Sequence, residues 1–166
     1  MKLNNLKDLF IHELKDLYNA ENQILKALPK MRDTAASKDL QQAFSKHLKE
    51  TEQHVKRLEQ VFELMGEKAK GEKCKAMEGI IRESDDMINE KADVDVMDAA
   101  LISMAQRVEH YEIASYGTLC TYAKQLKMQD VLDQLQMNLD DEKKTDQTLT
   151  FIAENKINIK AEHRTR

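Results

Sequence analysis

Sharp turns are scarce in this chain. Its 166 residues contain 4 Gly and 1 Pro, the residue types that supply the left-handed or pre-set dihedrals on which hairpins and βαβ connections depend. Sandwiches, barrels and alternating α/β series are excluded on that ground, and long helices with few breaks remain. The composition agrees, with 34% charged and 41% hydrophobic residues, 9 of them Met, as amphipathic helices require. The length suits one domain with a real core.

The apolar residues recur at helical spacing in four long segments. The first begins near Leu3 and carries Leu6, Phe10, Leu14, Leu17, Ile24, Leu28 and Met31, with Pro29 expected to kink or loosen its last turn. A short turn, with Ser37 as N-cap, leads to a second segment bearing Leu40, Phe44, Leu48, Val55, Leu58, Phe62 and Met65, ended by Gly66. The charged stretch Glu67 to Lys73 reads as a solvated loop, and Met77, Ile80, Ile81 and Met87 as a shorter helix ending near Asn89. The third long segment runs from Val94 to Leu126, and after a turn at Lys127 the fourth carries Val131, Leu135, Leu139, Leu149 and Ile152.

At 1.5 Å per residue each long helix spans about 45 Å. Tight joins after the first and third make antiparallel hairpins, and the stretch 67–92 is long enough to cross the bundle. The expected fold is all-α: a four-helix bundle of two antiparallel hairpins over residues 1–159, with one long crossover holding a short extra helix. Residues 160–166 are expected to be a frayed polar tail.

Charge narrows the functions. With 26 Lys+Arg against 30 Asp+Glu the net charge is -4, well mixed in sign, which argues against nucleic-acid and anionic-membrane binding. No apolar run reaches membrane-spanning length, and Met1 to Phe10 has no signal-peptide pattern. Cys74 and Cys120 lack metal or redox spacing. A cytoplasmic protein is expected, with an apolar crossover helix that could serve a homodimer.

The informative feature is what interrupts the apolar stripes. Glu21 lies between Leu17 and Ile24; Glu50 and His54 follow Ala43 and His47; Glu109 and Glu112 sit between Ala105 and Tyr116; Glu142 and Asp146 sit between Leu139 and Leu149. Glu21 and Glu50 are each about 15 residues from the first turn, and Glu112 and Glu142 about 15 from the second, so the four fall at one height. A single Glu on a helix is ordinarily solvated; four at one level on four core faces is a far rarer coincidence. Six carboxylates, Glu21, Glu50, Glu109, Glu112, Glu142 and Asp146, cannot all ionise in a low-dielectric core. Shared protons, buried cations or bound metal would relieve them. Lys49, Arg107 and Lys143 point to other faces, so two divalent ions are the expected counter-charge. A donor set of many oxygens and few imidazoles suits Fe first and Mn second, before Zn or Cu. Glu50 with His54 and Glu142 with Asp146 repeat one spacing, as if the two hairpins were copies around a metal pair.

The segments Asp16-Leu17-Tyr18-Asn19-Ala20-Glu21, His47-Leu48-Lys49-Glu50-Thr51, Cys74-Lys75-Ala76-Met77-Glu78-Gly79, Val108-Glu109-His110-Tyr111-Glu112-Ile113-Ala114-Ser115-Tyr116-Gly117 and Glu142-Lys143-Lys144-Thr145-Asp146 resemble the ferritin-like di-metal carboxylate superfamily, in its YciF-type branch of bacterial stress proteins. The resemblance covers nearly the whole chain, and its fourth segment is the most specific. It implies a cytoplasmic stress-associated protein with Glu50 and Glu142 as bridging ligands, Glu21 and Glu112 as terminal ones, and Glu109 as the extra Glu of rubrerythrin-like sites. The usual His three residues after the bridging Glu is replaced by Gln53 and Thr145, so His54 and Asp146 must substitute or the coordination thins, which bears on redox behaviour.

Two functions compete at this level. One is a di-iron or di-manganese protein that turns over O₂ or peroxide or oxidises Fe(II), with electrons from a partner or from Fe(II) itself. The other is a non-enzymatic helical stress or assembly protein with a structural metal or a metal-free carboxylate layer. A cage-forming storage ferritin fits less well, since no fifth helix is evident after Asn155. His47 could support the ligands or simply pack at the core edge. Tyr18 and Tyr116 could hydrogen-bond ligand carboxylates or quench radicals, although tyrosines in a bundle core are more often packing residues with a polar tip; Glu78 reads as surface in preference to a cap on the site, and the Met residues as gap fillers.

Overall fold

The computed structural model describes residues 3–163, and among these there is no strand. Five principal helices run α1 Leu6–Thr34, α2 Lys38–Leu64, α3 Lys75–Ile88, α4 Val94–Gln125 and α5 Gln129–Ile152. α1 packs on α2 and α4 on α5, while α2 lies beside α5 and α1 beside α4. This is a helical bundle of two hairpins, with α3 laid against α1 and α4 from outside.

Local chemistry sets the ends. Asn5 caps α1 by accepting from Asp8 N. Pro29 does not stop that helix, which continues one further turn to Thr34. Ser37 stands at the N-cap of α2 but its hydroxyl caps nothing; the turn is held instead by buried Asp98 of α4, whose two carboxylate oxygens accept from Ala36 N and Ser37 N at 2.8 Å each. That contact puts the start of α4 level with the end of α1, so the two run antiparallel. Gly66 ends α2 at φ 68, a left-handed residue after which Glu67 N returns to Phe62 O. Lys127 does the same work between α4 and α5 at φ 58.

The crossover is bound to α1 more tightly than a solvated loop would be. Asn19 Oδ1 accepts from Cys74 N at 2.8 Å, and a Cβ on Gly71 would stand 2.9 Å from Asn19 Cβ, so the close approach requires glycine. α5 does not end in a tail at residue 160. It widens into a π turn at Ala153–Ile157, which buries Ile157, and continues as a sixth helix, α6 Asn158–His163, against α4. The expected tail residues 164–166, like residues 1–2, lie outside the described part. Leu3 is exposed and takes no part in the core.

Phe10, Leu14 and Leu17 with Leu58, Leu119 and Leu135 fill one part of the interior, and Leu28, Leu40, Phe44, Leu101 and Leu149 the other. Each such side chain contributes about 1.5–3 kcal/mol on burial. Between them lies a layer that is polar and equally buried.

Candidate metal centre

Every bundle helix sends polar groups into this layer. Glu21 from α1, His47 and His54 from α2, Glu109 and Glu112 from α4 and Glu142 from α5 are each at most 2% exposed. Their donor atoms form two groups, His47–Glu109–Glu112–Glu142 and Glu21–His54–Glu142, within each of which the atoms lie within 4.8 Å of one another. Glu142 belongs to both. His54 Nδ1 stands 2.8 Å from Glu142 Oε1 and 3.4 Å from Glu21 Oε1, and His47 Nε2 stands 3.2 Å from Glu109 Oε1.

These distances do not amount to a satisfied network. Both oxygens of Glu112, both of Glu142, one each of Glu21 and Glu109, both nitrogens of His47 and Nδ1 of His54 are buried without a hydrogen bond of acceptable geometry. Each such group costs about 1–3 kcal/mol, and native interiors hold few of them. Nine atoms of this kind in one layer have the donor chemistry of a site for hard cations.

What is satisfied lies around the layer and orients it. Tyr116 O–H donates to Glu21 Oε1 and accepts from Asn138 Nδ2 at 2.9 Å. Arg57 Nη1 donates to Asn138 Oδ1 and Asp141 Oδ2, both at 2.9 Å, and Asp141 Oδ2 faces His54 Nε2 at 3.3 Å. His54 is thus held from behind with Nδ1 turned inward, an arrangement that fixes ring orientation at metal sites.

The electrostatics follow from burial and crowding. Burial, then the charges of Glu142 and Glu21, drives the Glu109 and Glu112 carboxyls well above the usual range. Burial also opposes ionised Glu142, but His54 and His47 more than offset it and hold its pKa down. For His54, burial disfavours the cation, and the carboxylates of Glu142 and Glu21 outweigh it, pushing the pKa up to about 10. Tyr116 is driven upward by burial and by Glu21.

Two residues expected in the layer stand at its edge. Glu50 has 20% of its side chain exposed and pairs through Oε1 with Lys46; its Oε2 is buried and without a partner. Asp146 accepts from Gln106 Nε2 at 3.0 Å and lies 3.4 Å from His110 Nε2 on the bundle surface. The reason is one of phase. The buried line of α2 runs His47, Thr51, His54, Leu58, and that of α5 runs Asn138, Glu142, Thr145, Leu149, so Glu50 and Asp146 are each one residue off the seam. His47, left open by sequence, is fully inside. Asn138, Asp141 and Arg57 carried no sequence signal beyond the seam position of Asn138. Glu78 is at the surface, 2.6 Å from Lys73. Cys74 caps α3 and contacts Tyr111 Oη at 3.0 Å, and Tyr111 donates to Asp16 Oδ2 at 2.6 Å. No described helix is long and apolar enough to cross a membrane.

Fold and site together define a helical bundle with a buried carboxylate–imidazole cluster at mid-height. The chain belongs to the family described as Domain of unknown function (DUF892), whose model matches residues 5–162. It is similar to the protein YciF of Escherichia coli (strain K12), 46% identical over 165 residues and 99% of each chain. The crystal structure of the E. coli stress protein YciF superposes with a TM-score of 0.90 at 46% identity, covering 93% of this chain and 98% of that one. YcfI from Rhodopseudomonas palustris, described as a candidate structural protein, gives 0.88 at 45%, covering 90% and 95%. A protein of Xanthomonas campestris pv. campestris shares the fold, at TM-score 0.74 and 20% identity, over 98% of this chain and 100% of that one.

Proposed function

We propose that this chain is a ferritin-like di-metal carboxylate protein that holds two divalent ions, Fe before Mn, in a stress-related role such as the name of its E. coli relative carries. The observation that supports this is the position of Glu142, a buried carboxylate with two unpartnered oxygens that belongs to both donor groups. His47, Glu109 and Glu112 would complete one ion's set and Glu21 and His54 the other's, with Glu142 shared between them. Glu50 would join by its buried Oε2 once released from Lys46, and Asp146 would act from the rim. Bound Fe or Mn would supply one-electron chemistry toward O₂ or peroxide, or oxidation of Fe(II).

The protein's own groups define the rest. Tyr116 fixes the Glu21 carboxylate, and Asp141, held by Arg57, sets the His54 ring. Cation binding displaces the protons that burial keeps on Glu109 and Glu112, so affinity rises with pH. A second reading has an observation of its own. With His54 charged between Glu21 and Glu142, and Glu109 and Glu112 neutral, the layer approaches charge balance without metal, as a purely structural bundle would need.

Elemental analysis of protein purified after Fe or Mn supplementation, followed by O₂ and peroxide turnover, separates the two. Two metals per chain, reduced in Glu142→Ala, are expected. A metal-free, fully folded protein whose thermal stability ignores added Fe(II) or Mn(II) would sink the di-metal reading, and bound metal without turnover would leave a structural metal.

A further inference from the structure

α2 and α5 meet beside the polar layer through residues set three apart on each helix. His54 and Arg57 share one face of α2, and Asn138 and Asp141 share one face of α5. Asn138 is fully buried, whereas the Arg57 and Asp141 side chains are 25% and 31% exposed. A single nitrogen of Arg57, Nη1, carries two hydrogens and gives one to each partner, Asn138 Oδ1 and Asp141 Oδ2, at 2.9 Å in both cases. A guanidinium donates and never accepts, so it dictates the sense of every bond beyond it. Asn138 must turn its oxygen to Arg57. Its NH₂ then faces Tyr116 Oη at 2.9 Å, with a weaker contact of the same sense to His54 O at 3.4 Å. The Tyr116 oxygen is already accepting, and its hydrogen goes to Glu21 Oε1. Along the other arm, Asp141 accepts from Arg57 and faces His54 Nε2 at 3.3 Å, which leaves Nδ1 turned inward. The two arms meet again where His54 Nδ1 stands 3.4 Å from Glu21 Oε1.

We propose that Arg57 is the positioning residue for Glu21 and His54 together, acting on the first through Asn138 and Tyr116 and on the second through Asp141. That Glu21 and His54 hold a cation rests on the di-metal reading; the direction of the bonds does not. Without Arg57, the Asn138 amide is free to present either end to Tyr116. With its oxygen presented, the Tyr116 hydroxyl would donate to Asn138 and abandon Glu21 Oε1, in a layer where Glu21 Oε2 already lacks a partner. With its NH₂ presented, Glu21 keeps one oxygen committed and the other uncommitted, while His54 keeps Nδ1 inward. Both arms end on residues of the Glu21–His54–Glu142 group, and on neither His47, Glu109 nor Glu112 of the other. One part-exposed cation thus sets one half of the cluster.

The test reads labile protons by NMR in chelator-treated full-length protein, so that no metal takes part. The Tyr116 hydroxyl proton is identified by its absence in Tyr116→Phe, and the His54 Nε2 proton by its absence in His54→Gln. In Arg57→Met both are expected to exchange with water several-fold faster. In Arg57→Lys, whose ammonium donates to both acceptors, they should recover, which loss of packing alone would not predict. Asp141→Ala should release the His54 proton and leave the Tyr116 proton in place, because it cuts one arm only. Arg57→Ala serves if the methionine variant does not fold. Equilibrium dialysis against Mn(II) should then show two ions per chain in wild type and one in Arg57→Met at the same free concentration. A Tyr116 proton indifferent to the loss of Arg57, or two ions held in the variant as tightly as in wild type, overturns the proposal. Protons that respond as expected in a wild type that binds no metal remove the di-metal reading alone, whereas two bound ions with unresponsive protons remove the positioning role alone.

Discussion

Replacing Glu112 by leucine should make the metal-free protein more stable. Glu112 is fully buried, neither of its oxygens has a hydrogen-bond partner, and burial with the charges of Glu142, Glu21 and Glu109 drives its pKa well upward. The neutral form escapes the cost of a bare charge and its O–H can donate to Glu21, but the remaining polar oxygen stays unsatisfied, at about 1–3 kcal/mol for a buried polar group. Leucine is of similar volume and removes that unsatisfied oxygen, at the loss of the contact with Glu21. Removing an unsatisfied buried polar group of this kind gains about 1–3 kcal/mol. For a domain of this size that is a rise in Tm of about 2–12 °C. The assay is calorimetry with chelator and again with saturating Mn(II), or with Fe(II) under anaerobic conditions. Wild type should gain about 2.7 kcal/mol per ion at a hundredfold excess over Kd, and Glu112→Leu should gain distinctly less. The expected result is a crossing, with the variant more stable when stripped and wild type ahead when loaded. A stripped variant less stable than wild type would refute the claim that Glu112 is a cost to the fold; an undiminished metal effect would remove it from the cation site.

Two further outcomes follow from the same geometry. His54 titrates near 10 in the folded protein against 6.5 unfolded, so its contribution is fully present below about pH 6.5 and is lost as pH rises through about 10; Glu109 and Glu112, raised in the fold, act with the same sign from the unfolded carboxyl range upward. Chelated protein should therefore unfold at lower urea at pH 9 than at pH 6, with the slope flattened in His54→Gln, and an equal midpoint at both pH values would contradict the assignment. At the far turn, Asp98→Ala strips the acceptors from Ala36 N and Ser37 N and should cost about 1–3 kcal/mol, with Asp98→Asn recovering part of it in urea unfolding; no change in midpoint would show that water replaces the carboxylate.

The helices were legible because so few residues break them, and five of the six buried cluster residues were legible because each interrupts an apolar stripe. His47 was on the seam with its role left open, while Glu50 and Asp146 were read on the seam and stand one residue beside it. A seam read by steps of three and four admits either neighbour at each turn, and only packing decides that Thr51 and Thr145 face inward while Glu50 and Asp146 lie beside them. The polar support was harder to see. Arg57 and Asp141 act through long-range contacts between α2 and α5, and no local pattern announces a pairing across more than eighty positions. The π turn at Ala153–Ile157 escaped for a different reason, since its apolar Ile152 and Ile157 are five apart and fit neither helical step.

Asp98 has a consequence for how the molecule is assembled. The first hairpin leaves the ribosome with the amides of Ala36 and Ser37 still unclaimed by protein, and their acceptor is some sixty residues behind them in the chain. The hairpin's own turn is finished only when the second hairpin arrives. Neither half carries the acceptor and the donors of this turn together, and separately made halves would be expected to regain the closed turn only by finding each other, with the carboxylate of Asp98 as the latch that sets their relative height.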